Sequence, residues 1–188
     1  MVPTVPLNPG RAIAIDGSGN AYITGSTSSA NFPLANAAQG VIGGQNDAFV
    51  SKLSANGTAL IYSTYLGGTG DDFGKSVAVN IGGGASVTGV AGPNFPVVNN
   101  LLTPNPGIGF VAKLTPSGTA VTYSTILSGV TGGSNGIALD FAGNAFVTGS
   151  TNASIVTVFP FQPTNGGGGT DAWVSEIADP TIIGSCHG

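Results

Sequence analysis

The chain carries very few charges, and this scarcity excludes one large class of proteins. Only 6% of its 188 residues are charged; four of these are basic, and the formal net charge is −4. Proteins that bind nucleic acid neutralise its phosphates with a clustered basic face. Four scattered cations cannot form such a face, so the sequence predicts no nucleic-acid partner.

Cysteine and histidine are each present once, as Cys186 and His187. A single cysteine excludes an internal disulfide framework and a multi-cysteine metal site. The segment Gly132–Gly136 fits the G-x-S-x-G string, but that motif needs a histidine partner and a strand-to-helix turn. No helix is expected after it and the one histidine lies on the tail, so we predict no catalytic residues.

Long hydrophobic runs are also missing. No stretch approaches the roughly 20 apolar residues of a membrane span, and no signal peptide is visible. The chain has instead 32 glycines, 12 prolines and 41% hydrophobic residues. Disordered chains are poor in apolar residues, so this composition predicts a folded, turn-rich, all-β protein.

One stretch, Ala12–Thr27, recurs twice, as Ser76–Ala91 and Gly136–Thr151. Each copy reads as a strand, a polar Gly/Asn turn and a second strand. The copies begin about sixty residues apart, a period that is typical of repeat architectures. Asp side chains bond their own backbone, and Gly and Asn tolerate positive φ, which explains the turn without any ligand.

Two further strands follow each hairpin in the first two copies. The third strand is DAFVSKL (47–53), and it recurs as IGFVAKL (108–114) and DAWVSEI (171–177). The fourth strand, at 59–67 and 120–128, is largely apolar or neutral on both faces, as expected where sheets stack on sheets. Four antiparallel strands per unit predict β-propeller-type blades; the alternative is a β-solenoid or a series of stacked sheets.

The predicted organisation leaves the third unit one strand short. Three blades fall below the roughly four to eight that close a ring, so we expect the chain to associate with itself as a closed oligomer or a filament, or to be a piece of a longer propeller. Val2, Val5, Leu7 and Cys186 are the assembly candidates. The predicted segments are a lead-in or swapped edge strand (1–11), three repeats within 12–177 (12–75, 76–135, 136–177) and a tail (178–188).

The string DAFVSKLSANGTALIYSTYLGGTGDDFGKSVAVN (47–80), together with hairpins of the GNAYITGST type, resembles the SBBP beta-propeller repeat of bacterial surface and secreted proteins. The resemblance extends from Ala12 to Ile177. It implies a bladed propeller and an exported protein, and it implies no catalytic residues.

Residues that do not recur in every unit are the places where a site is expected. Asp71 and Asp72 form the one paired carboxylate; they are either solvated loop acids that cap a turn between blades or ligands of Ca²⁺. Tyr22, Tyr65 and Trp173 are the candidates for stacking on a sugar ring. Glu176 stands where the other units carry Lys52 and Lys113, and it is expected to form an ion pair with one of those lysines, between blades or between subunits.

The sequence therefore predicts a non-enzymatic protein, extracellular or on the cell surface, with a structural or adhesive role through self-association. A carbohydrate-binding propeller is the alternative, and a propeller-type hydrolase or lyase is the weaker one. The expected partners are further copies of the chain and, beyond these, glycans or other surface proteins. No cofactor is expected apart from the calcium alternative.

Overall fold

The computed structural model describes residues 10–102, 107–127, 129–152 and 169–180. Within these ranges the secondary structure consists of eleven β-strands in three antiparallel sheets, which confirms the all-β prediction. The strands are β1 (Gly10–Ile15), β2 (Ala21–Thr27), β3 (Asp47–Leu53), β4 (Leu60–Leu66), β5 (Phe73–Val79), β6 (Ala85–Val90), β7 (Gly109–Leu114), β8 (Val121–Leu127), β9 (Ser134–Leu139), β10 (Ala145–Thr151) and β11 (Asp171–Ile177).

Each sheet corresponds to one repeat of the sequence. The first sheet has the order β1-β2-β3-β4, the second β5-β6-β7-β8, and the third β11-β10-β9. Neighbouring strands in each sheet are consecutive in the chain. Among the described residues no helix is long and apolar enough to cross a membrane.

The turn between the first two strands is built in the same way in all three sheets. In the first sheet Asp16 Oδ1 accepts a hydrogen bond from the backbone N–H of Asn20 at 2.9 Å. Asp140 accepts the corresponding bond in the third sheet, and Asn80 accepts it in the second. The glycines of these turns have φ of 81° to 91°, a region that favours glycine. The predicted bonding of the Asp side chain to its own turn backbone is confirmed.

The loops after the first hairpins are held down by the phenylalanine of each Phe-Pro pair. Phe32 is 7% exposed, and its ring centroid lies 4.8 Å from that of Phe49. Phe95 is 6% exposed and lies 4.4 Å from Phe110. The first two units therefore share this contact between a loop phenylalanine and the sheet, while the phenylalanine of the third Phe-Pro pair, Phe159, lies outside the described residues.

The three sheets stack face to face in chain order. Strand β5 contacts β1 and β2 on one side and β9 on the other, while β6 also contacts β9. The hydrophobic core accordingly consists of one cluster between the first and second sheets and another between the second and third. Successive first strands lie beside one another, as in the inner ring of a propeller.

The sheets begin slightly earlier than the repeat boundaries at residues 12, 76 and 136. Their first strands start at Gly10, Phe73 and Ser134, and each carries a register shift near its start that leaves one extra residue unpaired. The four assembly candidates Val2, Val5, Leu7 and Cys186 lie outside the described residues.

Candidate functional site

The contacts between neighbouring sheets follow one pattern, which occurs twice. We call each of these contacts between two sheets a seam. In the first seam, Tyr22 and Val50 of the first sheet pack in one cluster with Val77 and Leu114 of the second. In the second seam, residues of the opposite face of the second sheet, among them Val111, pack with Val147 and Trp173 of the third. Each seam thus joins the same two kinds of sheet face.

We call the face that the first sheet turns to the second, and the second to the third, the forward face; the face that it contacts is the rear face. The third sheet also has a forward face, but that face is exposed. Val174 occupies the position that Val50 and Val111 hold in the other sheets; it is 71% exposed, whereas both of the others are 0% exposed. Phe146, on the same face, is 39% exposed, whereas its counterpart Tyr22 is 0% exposed. We call this surface the last end face; its members are Ala138, Phe146, Thr148, Ala172, Val174 and Glu176.

The first sheet leaves the opposite kind of face uncovered. Ile13 and Ile15 of β1 are 64% and 65% exposed, while Val77, the counterpart of Ile13 in β5, is 6% exposed. We call this surface the first end face; its members are Ile13, Ile15, Ala21, Leu53 and Leu60. The fourth strands, which were expected to be apolar or neutral on both faces, are buried on both faces over Tyr62–Leu66 and Tyr123–Thr125.

Each seam contains a lysine that is paired with a carboxylate. Lys52 Nζ lies 3.4 Å from Asp16 Oδ2 and 4.7 Å from the ring centroid of Tyr22. The Tyr22 hydroxyl lies 3.1 Å both from Asp16 Oδ2 and from the backbone oxygen of Gly83 in the second sheet. The lysine and tyrosine of the first sheet thus meet a turn of the next sheet.

In the second seam the lysine reaches across to the next sheet. Lys113 is paired with Asp179, which follows the last strand of the third sheet, and the two side chains are 9% and 1% exposed. The second sheet has Asn80 where the first has Asp16, so the carboxylate that serves this lysine comes from its neighbour. Asp179 is a seam residue that the sequence did not reveal.

The third sheet carries the opposite charge at this position. Glu176 pairs with Phe146 across β10 and β11, as Lys52 pairs with Tyr22 across β2 and β3. The two ion pairs of the described residues use Lys52 and Lys113, so the expected pairing of Glu176 with one of these lysines within the chain is not observed. Glu176 lies exposed on the last end face.

The titration of the first seam follows from these contacts. The side-chain hydrogen bond from Asn20, with further bonds from the turn, holds the pKa of Asp16 well below its usual value. Burial alone would lower the pKa of Lys52, but its contacts with Tyr22 and Asp16 outweigh burial, and the pKa is raised. Burial raises the pKa of Tyr22. At neutral pH the seam therefore holds a charged lysine–aspartate pair beside a neutral tyrosine.

The paired carboxylates Asp71 and Asp72 have different roles. Asp72 is 0% exposed, and its two oxygens accept hydrogen bonds from the backbone N–H groups of Gly68 and Gly92, each at 2.7 Å. Burial is the main reason why the pKa of Asp72 is raised. Asp71 accepts a bond from the Asn46 side chain at 2.9 Å. Asp72 thus anchors loops of adjacent sheets, and it is not a solvated loop acid.

The described residues do not form a calcium site around Asp71 and Asp72. Calcium takes six to eight oxygen ligands, several of them from carboxylates. Within the described ranges, no three or more His, Cys, Asp or Glu side chains come together in a way that could hold a metal ion. The contacts of Asp71 and Asp72 that the structure shows are hydrogen bonds between loops.

The three rings expected to stack on sugars are all buried. Tyr22 is 0%, Tyr65 is 1% and Trp173 is 8% exposed. Tyr22 lies in the first seam, Trp173 lies in the second, and the Tyr65 hydroxyl donates a 2.6 Å hydrogen bond to the backbone oxygen of Ser29. The expectation of exposed rings is wrong, because neighbouring sheets and the loop after β2 cover them.

The Ser134 of the G-x-S-x-G string is also buried. It lies at the start of β9 and is 0% exposed, and it is followed by strand residues rather than by a helix. This placement has none of the geometry of a nucleophile elbow, which needs an exposed serine on a strand-to-helix turn.

The first strands of the three sheets each contain one polar residue near their start, and sequence reasoning did not predict that these residues form a row. Arg11, Lys75 and Asn135 each occupy the register shift near the start of β1, β5 and β9. Lys75 Nζ donates a hydrogen bond to Asn135 Oδ1 at 2.8 Å. Burial, and then the charge of Arg11, lower the pKa of Lys75. The signal for this row was a polar residue directly before each repeat.

This stack of antiparallel sheets defines the class of protein: an all-β repeat protein built from propeller-type units. The SBBP family model, described as a beta-propeller repeat, matches residues 10–33 and 123–155. The first match covers β1, β2 and the start of the following loop, and the second begins within β8 and includes β9 and β10. The predicted resemblance to the SBBP beta-propeller repeat is thus confirmed over residues 10–33 and 123–155. No curated protein shows significant similarity to the chain.

Proposed function

We propose that this chain is a non-enzymatic structural or adhesive repeat protein that works by associating with further copies of itself through its two end faces. The observation that carries the proposal is the exposure of Val174, 71%, against 0% for Val50 and Val111. A valine at this position is covered by a sheet wherever the chain supplies one. Exposed apolar surface of this kind marks interaction sites.

An exported or cell-surface location belongs to the same proposal. With 6% charged residues and a mean hydropathy of +0.32, the chain has little of the surface charge that protects proteins from association in a crowded cytosol. An assembled protein outside the cell suits this composition. Fractionation of the source cells tests the location: we expect the chain in the medium or the surface fraction, and recovery from the cytosol alone would contradict it.

Sedimentation velocity over a concentration series of the purified chain tests the association. We expect the weight-average mass to rise with concentration, and Val174→Asp to return the chain to the monomer. Ile81→Asp is the matched control, because Ile81 is 88% exposed at a turn tip away from both end faces. A wild-type chain that stays monomeric at every concentration would refute the proposal.

A further inference from the structure

The two end faces are the two unused halves of a seam that the chain builds twice. The forward face of the first sheet meets the rear face of the second, and the forward face of the second meets the rear face of the third. The last end face is the third forward face, and the first end face is the first rear face. From this correspondence we infer that copies dock head to tail, the last end face of one copy lying on the first end face of the next.

This inference rests on the proposed function, and it specifies which surfaces meet. A face of the forward kind contacts a face of the rear kind in both internal seams, and the part of the chain that the structure describes provides no example of two like faces in contact. The docking is therefore heterologous, so it generates a ring if the rotation closes and a filament if it does not. An isologous dimer through two last end faces is the competing arrangement.

The apolar residues of the two faces support this pairing. Val174 and Phe146 correspond to residues that pack in the internal seams as Val50 and Tyr22. On the rear side, Ile13 and Ile15 correspond to Val77 and Val79, which lie in the same cluster. Docking head to tail would give each exposed apolar side chain the neighbours that its counterparts already have.

Glu176 sets the strength of this contact. In the first seam, the counterpart Lys52 lies close to Gly83 in the turn of the next sheet. A Cβ atom added at Gly83 would lie only 3.7 Å from Lys52 Nζ. In a docked second copy, the corresponding turn residue is Gly19, and no cation lies in that turn, which runs from Asp16 to Asn20. The glutamate carboxylate would be covered without a cation, which weakens association.

Complementation between two blocked variants tests the head-to-tail arrangement. Val174→Asp blocks the last end face, and Ile13→Asp blocks the first; both sites are exposed, so circular dichroism should show an unchanged fold. Each variant alone is expected to sediment as a monomer, because it keeps only one usable face. An equimolar mixture is expected to form a complex of two chains and nothing larger, because each variant retains the face that the other needs.

The outcomes separate this inference from the proposed function. A monomeric wild type would overturn both. A wild type that associates, together with Ile13→Asp that still forms dimers, would overturn the head-to-tail arrangement alone and favour the isologous dimer. A mixture that stays monomeric while the wild type associates would also overturn it.

Substitution of Glu176 provides a second, gain-of-association test. Glu176→Lys places a cation beside Asp140, as Lys52 stands beside Asp16, and should tighten wild-type association about tenfold or more. Glu176→Gln, which removes the charge without adding a cation, should give an intermediate gain. Weaker association of Glu176→Lys would show that the glutamate meets a cation of the second copy, and this result would overturn the proposed register.

Discussion

The valine in the middle of the third strand offers one substitution in three environments. Val50 and Val111 are 0% exposed, and Val174 is 71% exposed. Each buried methylene contributes about 0.8 kcal/mol, so Val→Ala at either buried site loses about 1.6 kcal/mol of transfer free energy. The residual cavity raises the expected loss in the free energy of unfolding to about 2–3 kcal/mol. At Val174 most of the side chain already contacts water, and we expect about 0.5 kcal/mol.

Urea unfolding of the three alanine variants, followed by far-ultraviolet circular dichroism, measures these losses. The experiment is run at a concentration at which the wild-type chain sediments as a monomer, so that only contacts within one chain count. A loss at Val174 as large as that at Val50 would refute the reasoning, because it would show that the last end face is covered within the chain. The two buried sites should agree within about 1 kcal/mol, since both lie in seams of the same construction.

The ion pairs and buried carboxylates lead to further expectations. Lys113→Met should cost about 3 kcal/mol or more in unfolding free energy, because Asp179 is buried and loses its lysine. Lys52→Met should cost less, because Asp16 keeps its turn hydrogen bonds. Equal losses of unfolding free energy in urea would contradict this difference. Asp72→Asn should cost about 1–3 kcal/mol at pH 7, because an amide cannot accept both backbone hydrogen bonds. The pKa of Asp72 is raised, so the advantage of the wild type over this variant should grow as the pH falls through the raised pKa towards 3.8. The pKa of Asp16 is lowered, so the advantage over Asp16→Asn should instead be present above 3.8 and shrink below it; parallel pH dependences of the two variants would contradict both assignments.

The local features of the fold could be read from the sequence because their causes are local. The hairpin turn needs an Asp or Asn and a glycine within five residues, and all three copies supply them. The alternation of apolar residues likewise fixed the strands and which residues share a face. The repeat then predicted three equivalent sheets without any knowledge of how the sheets pack.

The seam residues could not be predicted in the same way. Asp179 pairs with a lysine 66 positions earlier in the chain, and the corresponding residues of the other units, Ala55 and Pro116, carry no charge. The burial of Tyr22 depends on the second sheet lying over it, which the pattern of one strand does not encode. Asp72 looked like a loop acid because its hydrogen-bond donors are the backbone N–H groups of Gly68 and Gly92. Every residue except proline has such a group, so the sequence does not reveal these bonds.

Carbene footprinting of the wild-type chain over a concentration series tests the central claim most directly. The account predicts that labelling of Val174 and Ile13 falls in parallel as the concentration rises, because the two end faces cover one another. Labelling of Ile81 should stay constant, since this residue lies on neither face. Association without protection of Val174 and Ile13, or with protection of Ile81 instead, would contradict the account.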